Sequence, residues 1–170
     1  MRPADLRNAL DNWDATNGIQ WDTAVVLHTS DRMRAAENGW DDIWLQKTVG
    51  RYFNAVDRRI FKNEHKRRGV RCARFVTLER NASVGWHCHF ITATPPNLTA
   101  AEFQQILECE WHEIARRYDR GNCQKAAAWI EPITGDYKRY ITKHAFHHGV
   151  NIDAHNDIGT FDSMNTHLVA

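Results

Sequence analysis

His87 and His89 stand two residues apart in the run FVTLERNASVGWHCHFIT, residues 75 to 92. On a β-strand that spacing sends both imidazoles out of one face, where they can share a cation, and turns Cys88 to the other. The pair alone is weak evidence. Two β-rich stretches flank small and polar residues around Ser83, which predicts a hairpin turning about that serine. Residue 79 then lies directly opposite residue 87, so Glu79 brings a carboxylate beside the two imidazoles. Two histidines and a carboxylate, with coordination positions left open, form a catalytic ligand set rather than a closed structural one.

A second group of reactive side chains gathers near residue 140. The segment GDYKRYITKHAFH, roughly Gly135 to His147, predicts a helix with Asp136 near its N-terminus. Residues 140, 143, 144 and 147 share one face of it, and Tyr137 lies one turn earlier on the same stripe. An aromatic stripe at helical spacing ordinarily packs on a sheet. Lys143, one turn after Tyr140, adds a chemical use. A phenol ionises near pH ~10, and a neighbouring cation stabilises the phenolate that attacks as a nucleophile.

The remaining elements must hold these two groups together. Residues 3 to 13 predict a short amphipathic helix carrying Leu6, Leu10 and Trp13, broken at Asn17-Gly18. WDTAVVLHT, residues 21 to 29, reads as a buried strand with His28 near its end. From Asp41 to about Arg67, apolar residues at three and four predict one long helix, in which Gly50 is a point that could bend. The hairpin follows, and Pro95-Pro96 stops it. Thr99 with Glu102 forms a capping box for a helix over AAEFQQILECEWHEIARRY, whose buried stripe is Phe103, Ile106, Leu107, Trp111 and Ile114. CQKAAAWIEPI predicts a further strand ended by Pro132. The order is strand, helix, strand, strand, helix, strand, helix, which predicts an α+β domain with a central antiparallel sheet and flanking helices. The expected organisation is an N-terminal helical extension over 1–20, one catalytic domain over 21–148, and an irregular C-terminal extension over 149–170.

Composition bounds the rest. The chain has 170 residues, of which 25% are charged and 42% apolar, with a formal net charge of +1, so it fits one ordinary globular domain. Any affinity for nucleic acid must then come from local clustering. Such a cluster ends the long helix: Arg58, Arg59, Lys62, Lys66, Arg67 and Arg68, then Arg71 and Arg74, against Asp57 and Glu64. Cations near a helix C-terminus are ordinary on a solvated face, while their density here also suits a phosphate-binding ridge. The four cysteines are scattered with no CxxC pair, which points to a reducing compartment without a zinc knuckle. No apolar leader core or membrane-crossing stretch is read, so a cytoplasmic protein is expected, or a nuclear one in a eukaryotic host.

In combination these motifs resemble the HUH endonucleases, in particular the single-tyrosine replication initiator nucleases of rolling-circle plasmids and small single-stranded DNA viruses. His87-Cys88-His89 resembles their His-hydrophobic-His motif, Glu79 falls where many of them place a third metal ligand, and Tyr140-Ile141-Thr142-Lys143 matches their YxxK motif. The strand TAVVLHT stands where their first motif stands but departs from its Phe-Leu-Thr pattern, so no role passes to His28 or Thr29. The motifs span roughly residues 23 to 147.

The resemblance implies a ferredoxin- or RRM-like sheet and a nuclease that nicks single-stranded DNA at an origin stem-loop. Glu79, His87 and His89 would hold Mn²⁺ or Mg²⁺. Tyr140 would form a 5′-phosphotyrosine that a later hydroxyl can religate, with Lys143 supporting it and Tyr137 as the alternative nucleophile. Arg58, Arg59, Lys62, Arg67, Arg68 and Arg74 would hold the DNA backbone. No Walker A sequence occurs, so either a host or separate helicase unwinds the DNA or this chain is one part of a longer protein, and no membrane is implied. Two competing readings stand beside this one: a single-tyrosine HUH transposase, which would use the same residues on a different DNA hairpin, and a non-catalytic nucleic-acid-binding module, which would leave the metal residues without purpose. A histidine-triad hydrolase is disfavoured because position 91 is Ile where its third histidine would stand.

Overall fold

The computed structural model describes residues 8, 11, 12, 14–29, 42–81, 85–118 and 128–135. Four strands build one sheet: β1 (Thr23–His28), β2 (Arg74–Asn81), β3 (Gly85–Thr92) and β4 (Ala128–Pro132). Three helices join them: α1 (Asp42–Phe61), α2 (Asn63–Arg68) and α3 (Ala100–Tyr118). The strand order is β2-β3-β1-β4 with every neighbouring pair antiparallel. Each helical crossover therefore skips one strand, giving the two interlocked split βαβ units of a ferredoxin-like sheet. The expected α+β architecture with a central antiparallel sheet and flanking helices is the one found.

The period-two alternation of the strands divides the sheet into two faces. Val25, Leu27, Val76, Leu78, Trp86, Cys88 and Phe90 share a buried cluster with Leu45, Val49, Tyr52, Phe53 and Val56 of α1 and Phe103, Leu107, Trp111 and Ile114 of α3. Burial of each such side chain contributes about 1.5–3 kcal/mol, and this cluster holds both helices to the sheet. The rings of Phe53 and Phe90 meet edge to face at 5.0 Å, and those of Tyr52 and Trp111 at 5.6 Å. The Tyr52 hydroxyl also donates to the Leu107 carbonyl at 3.2 Å, joining α1 to α3.

The helix expected from Asp41 to about Arg67 is instead two. It passes through Gly50 without ending and breaks at Lys62, whose φ is +48°. The apolar stripe stops at Ile60 and Phe61, and α2 buries no residue, so packing does not hold the following turn in line. Gly69, at φ +69°, closes α2 and donates its N–H to the His65 carbonyl, a left-handed cap that glycine adopts without strain. Helical residues near the N-terminus run to Asn17, beyond the expected end at 13, and turn at Gly18. Trp21 Nε1 ties this segment to the sheet by donating to Asp14 Oδ1 at 2.7 Å. The capping box of α3 forms as expected: Glu102 Oε2 accepts from Thr99 N at 2.9 Å and Thr99 Oγ1 at 2.7 Å. No helix among the described residues is long and apolar enough to cross a membrane.

Candidate active site

The hairpin pairs in the expected register. Asn81 faces Gly85 about residue 83, Thr77 faces His89, and Glu79 faces His87. A slip of one residue would have carried either histidine into the apolar core. Instead Trp86, Cys88 and Phe90 occupy the helix-covered face, and His87 and His89 leave the other. This histidine face is itself shielded. His87 is 6% and His89 4% exposed, beside a fully buried floor of Ala24, Phe75 and Ile91.

The sheet order adds a third imidazole that the order of elements along the chain did not disclose. β1 lies against the other side of β3, with His28 paired to His87 and Val26 to His89. Glu79, His87 and His28 therefore form one row across three strands. The rings of His28 and His87 lie 5.7 Å apart and nearly parallel, and those of His87 and His89 lie 4.9 Å apart at 68°. The end of β1 is fixed from both sides. Trp111 Nε1 donates to the His28 carbonyl at 3.2 Å, and Thr29 Oγ1 donates to the Trp86 carbonyl at 2.9 Å. Burial lowers the pKa of His28 from its ordinary value, which favours the neutral ring.

With metal–nitrogen bonds of about 2.1 Å, two imidazole centres on one ion lie no more than about 6.4 Å apart. The His87–His89 separation meets that limit, and the register places Glu79 on the same face. Two imidazoles at this spacing, with a carboxylate position directly across the hairpin, could hold a divalent cation. His28 is a neighbour rather than a formed ligand: its ring stacks beside His87, and among the described residues no three donor side chains already converge on one point.

The basic ridge divides. Arg74, expected to hold DNA, is only 5% exposed and makes a bidentate pair with Asp57, which is 0% exposed, at 3.1 and 2.9 Å. Its guanidinium also lies 4.2 Å from the centre of the Phe53 ring, so Arg74 is a core residue. Arg59 is bonded to Glu110 of α3 at 2.8 Å, which raises its pKa, and Arg68 pairs with Glu64 at 3.2 Å. Arg58, Lys62 and Arg67 are exposed. All lie on or between α1 and α2, and α1 packs on the sheet face opposite the histidines, so the described residues do not bring the ridge to the candidate centre. Tyr137, Tyr140 and Lys143 lie outside the described residues, as does the helix expected to carry them.

The strand β4 was expected from its sequence, but the role of its tryptophan was not. Ala128 and Ile130 turn to the core, leaving Trp129 on the histidine face with Glu131. Trp129 is 67% exposed, and its ring meets His28 edge-on at 5.6 Å. The sequence signal was present in its sharing of strand parity with Glu131 rather than with Ile130. No family model, curated protein or solved structure matches the chain.

Proposed function

We propose that this chain is a metal-dependent endonuclease that nicks single-stranded DNA through a tyrosine nucleophile. The observation that carries the reading is the hairpin register, which sets Glu79 opposite His87 and keeps His89 on the same shielded face. Glu79, His87 and His89 would hold a divalent cation, Mn²⁺ or Mg²⁺. When bound, it would polarise the scissile phosphate and offset the charge that develops there.

The resemblance to HUH nucleases supplies the second half. The Tyr140 phenolate oxygen attacks phosphorus, the bond to the 3′ oxygen breaks, and that oxygen leaves as a hydroxyl after taking a proton. The product is a 5′-phosphotyrosine that keeps the phosphodiester energy for religation. Lys143 stabilises the phenolate. Such an enzyme would open a rolling-circle origin for a polymerase.

The test is incubation with labelled single-stranded oligonucleotides and Mn²⁺, read by denaturing electrophoresis and intact mass, for wild type, Tyr140→Phe and Tyr137→Phe. A covalent adduct absent only in Tyr140→Phe is expected. Loss only in Tyr137→Phe would move the nucleophile by one turn, and absence of adduct and cleavage throughout would favour a non-catalytic binding module.

A further inference from the structure

The ring of Trp129 is the exposed end of an aromatic series that runs from β4 across β1 to β3. Trp129 meets His28 edge-on at 5.6 Å, His28 stacks on His87 at 5.7 Å, and His87 meets His89 at 4.9 Å. Among the described residues Trp129 is the one large apolar side chain left exposed. Its neighbours do not explain that exposure. Ala128 and Ile130 serve the core, and Glu131 satisfies the solvated parity of the strand. β4 is an edge strand, so the approach to the ring is not closed by another strand among the described residues. The contact with His28, at 66° between ring planes, limits how the indole can turn, and 67% of the residue stays open to solvent.

We propose that Trp129 is a stacking platform for one unpaired nucleobase of the strand whose phosphate reaches the histidine centre. The ligand class rests on the nuclease reading above; the platform itself rests on the exposed indole and its continuity with His28 and His87. A flat indole face accepts any base, so the site supplies affinity and placement without a sequence preference. A base held there keeps the backbone at the β4 edge, from which the chain can run over β1 toward His87 and His89. Duplex DNA, whose bases are already stacked and paired, gains nothing from it.

The experiment compares fluorescein-labelled oligo-dT with an abasic sugar–phosphate oligomer of equal length, by anisotropy, for wild type, Trp129→Ala and Trp129→Phe. Oligo-dT binding should fall about five- to hundred-fold in Trp129→Ala, less in Trp129→Phe, and remain unequal at high salt. Binding of the abasic oligomer should be the same in all three proteins. Equal binding of oligo-dT by wild type and Trp129→Ala overturns the platform, and so does failure of wild type to bind it. A Trp129→Ala protein that loses self-association in sedimentation while keeping oligo-dT binding also overturns it and assigns the ring to an interface between copies. The adduct assay separates the two claims. An adduct with unchanged Trp129→Ala binding removes only the platform, whereas lost binding without any adduct keeps the platform and removes the nuclease.

Discussion

Replacing Arg74 separates a structural arginine from a DNA-binding one. Its guanidinium donates twice to the carboxylate of Asp57, and both side chains are inside the protein. In Arg74→Ala that carboxylate would keep the Cys72 N–H at 3.0 Å and the Arg71 guanidinium at 3.7 Å but lose its bidentate partner. Breaking a buried pair from one side costs about 3–5 kcal/mol, because the remaining charge stays buried. A domain of this size shifts its melting point by about 2–4 °C per kcal/mol, so a fall of roughly 6–20 °C is expected. The assay is urea and thermal unfolding of Arg74→Ala, Asp57→Asn and an Asp57→Asn/Arg74→Met double variant, with DNA binding measured over a salt series. The double variant should be less destabilised than the sum of its singles, since the side-chain amide oxygen at position 57 could still accept from the Cys72 N–H while neither charge of the pair remains stranded. Stability of Arg74→Ala within about 0.5 kcal/mol of wild type, with weaker and less salt-dependent DNA binding, would refute the core assignment.

Two further outcomes follow from the helices. The Thr99 hydrogen bonds lower the pKa of Glu102, so its folded value lies below the unfolded one. Its stabilisation is complete above the unfolded value and is lost as pH falls through the folded one. Glu102→Gln should therefore reduce the stability difference between about pH 6 and about pH 3, and an unchanged difference in denaturant titrations would disprove the cap's role. Neutralising Arg58 and Lys62 should weaken binding of a DNA stem-loop more than that of oligo-dT, because these cations lie behind the sheet from the histidines. Each lost single-strand phosphate contact lowers the salt slope by about 0.7, so an equal drop for both ligands would place the single strand on the ridge.

The hairpin and α3 were legible because their signals are local. Alternation set the faces of residues 75–92, the small residues around Ser83 set the register, and Thr99 with Glu102 marked a helix start. The position of His28 was not legible, because nothing within residues 23–28 says that this strand inserts between β3 and β4. Arginine density alone does not separate Arg74, paired inside with Asp57, from its exposed neighbours. The useful sign was Asp57, an acid within the stripe of Phe53, Val56 and Ile60, which must be buried and therefore paired. The break at Lys62 carries no local breaker signal, because α2 is polar and helix-forming on its own terms; only the missing apolar stripe frees it from the line of α1.

Adduct formation by wild type, His87→Ala and His89→Ala, with Mn²⁺ and with excess chelator, tests most directly the proposed metal-dependent nicking centre on the histidine face. Wild type should form the protein–DNA adduct with Mn²⁺ alone, and both variants should form none while keeping a cooperative unfolding transition. Adduct formation in chelator, or by folded His89→Ala at the wild-type level, would contradict the metal centre.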